Sequence, residues 1–435
     1  MNARTTALSA LIACRRQGAW ADGALKEYIA RDRLDRRDAA LATRLVYGVV
    51  QNRLLLDFWL ERLVKGGTGR LQPVVLDILR LGLYQITQMD KIPPSAAVNE
   101  AVEQGKKYAS RQAAGLINGV LRSALRQRDA LTPPEDLSIR YSHPRPLVEL
   151  LEAQVGAGEL EALLQSHNQL PPLTVQRNPL AVSEADFRRE LADAGVEATP
   201  HPWCRDSWLL QGSGSLEALP LFRRGGFYVQ DPAARLAVTA AGLEPGMRVL
   251  DVCAAPGGKS FAAAMDLGGE GSVLACDIHP HKITLLERGA ARLGLPNLTA
   301  RLQDATAFAP ELADQMDAVL ADVPCSGLGV IRKKPDIRYK DLEPLGRLPE
   351  IQRRILDNVS RYVRPGGVLL YSTCTILHRE NEAVAEAFLA DHPEFSPEPF
   401  PLPEALGGEH RAMVTLYPHR HGTDGFFICK LRRTT

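Results

Sequence analysis

Arg248-Val249-Leu250-Asp251-Val252-Cys253-Ala254-Ala255-Pro256-Gly257-Gly258-Lys259-Ser260 decides the fold of this chain. An apolar run closes on an acid, passes through small residues and a Gly-Gly pair, and opens a helix. Small residues let a backbone approach a ligand closely, and a helix N-terminus favours acceptor or anionic groups. Outward from this stretch, apolar runs at 272–277, 298–303, 317–321 and 368–371 read as further strands, with helices between them at 279–293 and 349–362. Strands alternating with helices predict βαβ units and a mostly parallel sheet. Two closing strands, 412–417 and 426–431, flank a turn holding His419, His421 and Gly422, and predict an antiparallel edge hairpin.

Three nucleotide-type readings compete for the glycine loop. A phosphate-binding loop needs G-x-x-x-x-G-K-[ST]; Gly258-Lys259-Ser260 fits, but the first glycine would be Cys253. A G-x-G-x-x-G dinucleotide fingerprint is absent. What remains is a pocket for S-adenosylmethionine. Asp277 closes the second strand, at the spacing where a carboxylate meets a ribose hydroxyl pair. Asp304 follows the third strand, where it would face an adenine amino group.

Two cysteines close apolar runs on the same sheet: Cys325 in Asp322-Val323-Pro324-Cys325-Ser326-Gly327, and Cys374 in Tyr371-Ser372-Thr373-Cys374-Thr375. Ligands of open α/β sheets bind beyond the carboxyl ends of the strands, so two thiols there could share one reaction. Pyrimidines are poor carbon nucleophiles at C5. A thiolate added at C6 makes C5 able to attack a methyl sulfonium, and a second group must then remove the C5 proton. Asp322 is placed to stabilise the adduct at the N3/N4 edge, and the Pro324 carbonyl to accept from an exocyclic amine. The other five cysteines (14, 204, 253, 276 and 429) read as packing residues, since cysteine is among the most buried residue types.

The amino-terminal part is different in kind. Leu41, Leu45, Val49 and then Val75, Leu79, Leu83, Ile86 recur at helical spacing, so residues 5 to about 130 read as all-α. Ser95 is the expected cap of the helix that follows Ile92-Pro93-Pro94. Residues 131–136 are a linker candidate. Beyond them a proline-broken stretch with a strand near 173–176 reads as a small α+β module. The expected domains are 1–138, 139–230 and 231–435. Residues 1–140 carry 22 Lys and Arg against 14 Asp and Glu, on a chain whose net charge is only +1; a basic appendage of this kind points to nucleic acid. Of 435 residues, 45% are hydrophobic and 24% charged, which excludes a disordered or fibrous chain. Seven scattered cysteines without a C-x-x-C pair argue against a disulfide framework or zinc site and fit a reducing cytoplasm. No apolar run reaches the roughly 20 residues of a membrane span, and no signal peptide is read. No metal role is expected for His419 and His421.

The two cysteine motifs and Cys253–Lys259, with Val175-Gln176-Arg177-Asn178-Pro179, Lys334-Pro335-Asp336-Ile337 and Gly422-Thr423-Asp424-Gly425-Phe426-Phe427, resemble the RNA cytosine-5 methyltransferases of the NOL1/NOP2/Sun family. Leu45-Val46-Tyr47-Gly48-Val49, Leu81-Gly82-Leu83-Tyr84-Gln85 and Gly115-Leu116-Ile117-Asn118-Gly119-Val120-Leu121-Arg122 resemble a NusB-like RNA-binding domain. The resemblance implies a Rossmann-like catalytic sheet and S-adenosylmethionine as co-substrate. It implies Cys374 as nucleophile, Cys325 as the thiol that helps release product, and Asp322 near both base and cofactor. Cofactor contacts would run along Cys253, Ala254, Ala255, Pro256, Gly257, Gly258 and Lys259, with Asp277 on the ribose and Asp304 on the adenine. Where the family often has Ala-Ser after the acid of the Val-Gln-acid motif, this chain has Asp231-Pro232-Ala233-Ala234, without the serine. The implied partner is small-subunit ribosomal RNA, naked or in an early assembly intermediate, met by a cytoplasmic monomer. A tRNA cytosine-5 methyltransferase and a non-catalytic antitermination factor are the alternatives.

Overall fold

The computed structural model describes residues 2–435. The chain divides into two compact units. One covers the chain up to Gln169 together with Ile331–Lys340, and the other comprises Leu170–Val330 and Asp341–Thr435.

The first unit is helical: α1 (Ala3–Gln17), α2 (Ala21–Asp32), α3 (Arg36–Gln51), α4 (Arg53–Leu63), α5 (Pro73–Gln88), α6 (Pro94–Tyr108), α7 (Arg111–Arg126), α8 (Leu137–Arg140), α9 (Arg145–Val155) and α10 (Ala157–Asn168). The helical periodicity of the sequence is the core itself: Leu45 and Val49 from α3 pack with Leu79, Leu83 and Ile86 from α5. Asn2, Asp35 and Ser110 each accept a hydrogen bond from the backbone N–H three residues on, closing the first turns of α1, α3 and α7. Ser95 does not cap α6. Pro93 is the N-cap and Pro94 the first helical residue, because proline's fixed φ is already helical and its missing N–H costs nothing at that position, so Ser95 falls inside the first turn. Ile331–Lys340 enters this unit through Arg338. Its guanidinium is fully buried and donates to the Gln51 carbonyl at 2.8 Å and Asn168 Oδ1 at 2.9 Å. Burial pushes its pKa down to about 10.

The second unit holds two main sheets. The smaller consists of β1 (Leu173–Arg177), β2 (Glu197–Pro200), β3 (Ser207–Gln211) and β4 (Phe227–Val229) in the order β2-β3-β1-β4, all antiparallel. Helix α11 (Glu184–Asp193) closes it through Phe187, which packs edge-on to Phe227 and against Trp208. A short helix α12 (Pro220–Arg223) precedes β4.

The larger sheet has eight strands: β5 (Arg248–Asp251), β6 (Ser272–Asp277), β7 (Leu298–Leu302), β8 (Met316–Asp322), β9 (Val363–Thr373), β10 (Phe395–Pro397) and, beyond a small two-stranded β11 (Phe400–Pro401) and β12 (His410–Arg411) pair, β13 (Met413–Leu416) and β14 (Phe426–Arg433). Its order is β10-β14-β9-β8-β5-β6-β7, with β13 also on β14. Strands β5 to β9 pair in parallel, whereas β14 runs antiparallel to β9, β10 and β13. The expected hairpin is therefore present as β13–β14, and β10 lies on the same side of β14. Residues alternate between two cores, as a strand's period of two requires. Val249, Ala318 and Leu370 face α13 (Pro232–Ala241), α14 (Gly258–Asp266) and α15 (Pro280–Leu293). Leu250, Val319 and Leu369 face α16 (Leu348–Val359) and α17 (Glu382–Asp391). Strand order reverses between β5 and β8, and such a switch point opens a crevice at the strands' carboxyl ends.

Candidate active site

Every candidate residue from the sequence lies in the second unit, at or just beyond the carboxyl ends of β5 to β9. Strand β5 ends at Asp251, and the following loop turns sharply into α14 at Gly257. Gly257 has φ of +114°, and a Cβ there would stand 2.2 Å from the Phe261 ring, so only glycine fits this turn. The Ala254 N–H donates to the Cys276 carbonyl at 2.8 Å and thereby ties the loop to the end of β6. The Ala255–Pro256 peptide is cis.

Lys259 leaves the first turn of α14 and donates to Asp322 Oδ2 at 2.6 Å. The Ser372 hydroxyl donates to the other oxygen of Asp322 at 3.0 Å, across the β8–β9 pairing in which Asp322 and Ser372 stand opposite each other. Burial works against the charge on Lys259, but the attraction of Asp322, with Asp251 adding to it, holds the ammonium above its ordinary range. Asp251 is fully buried and accepts from the Ser260 hydroxyl at 2.7 Å. Burial pushes its pKa up to about 6, against the pull of Ser260 and Lys259.

The register that pairs Asp322 with Ser372 also brings the next residues of both strands together. The sulfurs of Cys325 and Cys374 stand 3.1 Å apart. They form one coupled acid, and their surroundings are unlike. The two sulfurs are hydrogen-bonded and either can donate. With the proton on Cys325 the bond lowers the pKa of Cys374, burial and the charge of Asp322 oppose this, and the Lys259 ammonium helps. Cys325 is raised by that same hydrogen bond, by burial, and by the charges of Glu380 and Asp322. A thiolate is thus favoured on Cys374, with Cys325 as its protonated partner.

Asp277 and Asp304 lie farther along the sheet. Asp277 is buried at the end of β6, where it accepts from the His279 N–H at 3.1 Å and pairs with Lys282 at 3.4 Å. Asp304, just beyond β7, uses one oxygen for both the N–H and the hydroxyl of Thr306, each at 2.8 Å. The Gln303 N–H donates to the Asp277 carbonyl at 3.1 Å and links the two strand ends. No hydrogen bond joins either acid to the thiol pair among the described residues. The Pro324 carbonyl, read from sequence as an acceptor for a base, already accepts from Gln352 Nε2 at 3.0 Å, which leaves one lone pair. Asp231 caps α13 by accepting from the Ala233 N–H at 3.0 Å. The Asp424 N–H also donates to it, at 3.2 Å, so its visible role needs no serine after it. The Cys325 loop passes so close to the chain before β14 that a Cβ on Gly329 would meet the Gly425 carbonyl at 1.9 Å.

Sequence reading missed Gln352, Glu380 and Asn381, which are fully buried beneath the two thiol loops. The only signal was position: Glu380-Asn381 follows Cys374 by six residues and opens α17. No cluster of three or more His, Cys, Asp or Glu is arranged to hold a metal among the described residues, and none of their helices is long and apolar enough to cross a membrane.

Comparison with known proteins bears on this geometry. The family model described as 16S rRNA methyltransferase RsmB/F matches residues 238–432. A NusB family model matches residues 1–126, and a ferredoxin-like domain model of RsmF/B-like methyltransferases matches 143–217. The chain is 36% identical over 99% of its length to a Bacillus subtilis protein described as "Probable ribosomal RNA small subunit methyltransferase B", of which 98% is covered. It is 33% identical over 91% of its length to the ribosomal RNA small subunit methyltransferase B of Klebsiella pneumoniae, of which 90% is covered. Among solved structures, a methyltransferase homolog protein from Pyrococcus horikoshii superposes with a TM-score of 0.59 at 25% identity, over 68% of this chain and 98% of that one.

Proposed function

Since the chain belongs to the ribosomal RNA small subunit methyltransferase B family, we propose that it methylates C5 of one cytosine in small-subunit ribosomal RNA through a covalent adduct on Cys374. The observation that carries the reading is the 3.1 Å thiol pair beside Lys259 and Asp322, at the switch point of the sheet. The glycine loop at Gly257–Gly258, the buried carboxylate of Asp277 and the half-exposed apolar side chain of Ile278 next to it suit the charged and flat parts of S-adenosylmethionine. Asp304 would face the adenine edge with the oxygen that Thr306 leaves open. When bound there, S-adenosylmethionine supplies an electrophilic methyl group on a sulfonium.

The remaining chemistry falls to this chain's own side chains. The Cys374 thiolate adds to C6 of the base and makes C5 nucleophilic. Asp322, held between Lys259 and Ser372, supports the N3/N4 edge of the adduct. Once C5 carries the methyl group, the Cys325 thiol releases its proton to water and as thiolate takes the C5 proton, the C5–C6 double bond re-forms and Cys374 leaves as thiolate. We read residues 231–435 as the catalytic part, 139–230 as the linking module, and the basic residues 1–138 as an RNA grip with salt-sensitive affinity. The target base must be flipped out or already unpaired to reach the thiols. The expected setting is a cytoplasmic monomer acting on naked RNA or an early assembly intermediate.

The test is incubation of the purified protein with S-adenosylmethionine and unmodified small-subunit rRNA, followed by bisulfite sequencing. One new 5-methylcytosine is expected. Methylation of tRNA alone, or S-adenosylmethionine binding without transfer to any RNA, would overturn the reading.

A further inference from the structure

Beneath the two thiol loops lies a polar cluster that the proposed reaction does not use. Glu380 is fully buried, and its Oε2 accepts from the Ser326 N–H at 2.8 Å and from Gln352 Nε2 at 3.1 Å. Gln352, on α16, shares that amide with the Pro324 carbonyl at 3.0 Å. The backbone carbonyl of Glu380 accepts from the Tyr371 hydroxyl. Its neighbour Asn381 accepts from the Thr373 hydroxyl at 2.6 Å and donates to the Thr375 carbonyl at 3.1 Å. Finally, the Ser326 hydroxyl donates to that of Thr375 at 2.8 Å. The residues on either side of Cys325 are thus tied to Gln352 and Glu380, those on either side of Cys374 to Asn381, the next residue in the chain, and the Ser326–Thr375 bond joins the two loops.

A buried carboxylate is costly unless it is paired and hydrogen-bonded. Glu380 has no cation partner among the described residues, and its Oε1 has no hydrogen bond. Gln352 Oε1 beside it is likewise buried without a partner, and such atoms call for an explanation. Its uncompensated charge acts on Cys325, adding to the Cys374 hydrogen bond and burial that keep that thiol protonated; Asp322 acts in the same direction. Cys374 faces Lys259, which favours its thiolate, and Asp322 and Asp424, which oppose it. Tyr371, the other titratable group against the pair, is held neutral by burial.

We propose that Glu380 is a positioning residue for the two-thiol reaction: braced by Gln352, it fixes the Cys325 loop against Cys374 and confines the reactive thiolate to Cys374. This rests on the reading of Cys374 as nucleophile, and its test separates the two. The wild-type protein and Glu380→Gln, which keeps an acceptor oxygen but removes the charge, are alkylated with iodoacetamide across pH 6 to 9, and labelled sites are read by peptide mass spectrometry. In wild type Cys374 is expected to label at least about tenfold faster than Cys325, because the thiolate is the reacting form. In Glu380→Gln, Cys325 takes a comparable share, and the acidic limb of the methyl-transfer profile moves to lower pH because a negative charge near the pair is gone. The value of kcat falls about tenfold with KM little changed, as expected for lost positioning. Gln352→Met loosens the loop but keeps the charge, so it lowers kcat while preserving the wild-type labelling preference.

Equal labelling of the two cysteines in wild type overturns the proposal without recourse to any variant. So does a Glu380→Gln protein with unchanged labelling ratio and pH profile, or a Gln352→Met protein that loses the preference as fully as Glu380→Gln. Selective labelling of Cys374 in a protein that methylates no RNA would instead overturn the functional reading and leave the role of Glu380 standing.

Discussion

Cys325 and Cys374 leave the carboxyl ends of β8 and β9, while Cys276 and Cys429 sit inside the same sheet on β6 and β14. The strand-end pair is partly exposed and the other two are buried, and their thiols differ accordingly. Burial pushes Cys276 up to about 12 and raises Cys429 as well. Cys276 has only a weak contact with Gln303 at 3.8 Å, and Cys429 stands opposite Tyr371 in the β9–β14 pairing. At the strand ends the sulfurs stand 3.1 Å apart, and their hydrogen bond, above all, takes Cys374 down and Cys325 up, with Lys259 adding on the first side and Glu380 on the second. What distinguishes a reactive thiol here is partial exposure combined with polar company.

The contrast is broken most directly at the strand ends. Cys374→Ala is expected to lower methyl transfer by at least about 10³-fold and to form no covalent complex with RNA. Cys325→Ala should instead accumulate a protein–RNA adduct that survives a denaturing gel. The opposite pattern would exchange the two roles. A smaller loss is expected from Lys259→Met, of about 10²-fold, in line with removal of one preorganised charge from an active site. Because the ammonium favours the Cys374 thiolate, its loss should shift the acidic limb of the rate profile to higher pH, the reverse of Glu380→Gln. An unmoved limb would separate Lys259 from the thiol pair. The smallest effect is expected inside the sheet. Cys429→Ala should keep kcat within about twofold while costing about 1–2 kcal/mol in denaturant unfolding, as modest core truncations do. A tenfold loss of activity in that variant would undo the comparison.

The thiols were legible because each ends an apolar run, and an apolar run followed by Pro-Cys or Ser-Thr-Cys has few other readings. The glycine loop was legible because close backbone approach restricts which residues can stand there. Ser95 was misread as a cap because the adjacent prolines already begin the helix without a side-chain acceptor. Glu380 and Gln352 were not legible. In sequence one resembles a surface acid and the other an ordinary helical amide, and they meet only because α16 and the chain after β9 pack on the same face of the sheet. Lys334-Pro335-Asp336-Ile337 could be recognised as a motif, but not as part of the helical unit, where Arg338 anchors it to carbonyls far away in the chain.

The sequence by itself determined the helical amino-terminal part, the alternation of strand and helix, and the residue types at each strand end, because periodicity and turn chemistry are local properties of the chain. Only the tertiary structure decided that two sulfurs 49 residues apart in sequence stand 3.1 Å from each other and that they are unequal. That distance follows from the parallel register of β8 with β9. The inequality follows first from the hydrogen bond between the sulfurs, to which charges brought up by α14 and by the segment before α17 add, and electrostatic coupling acts through space and not along the chain.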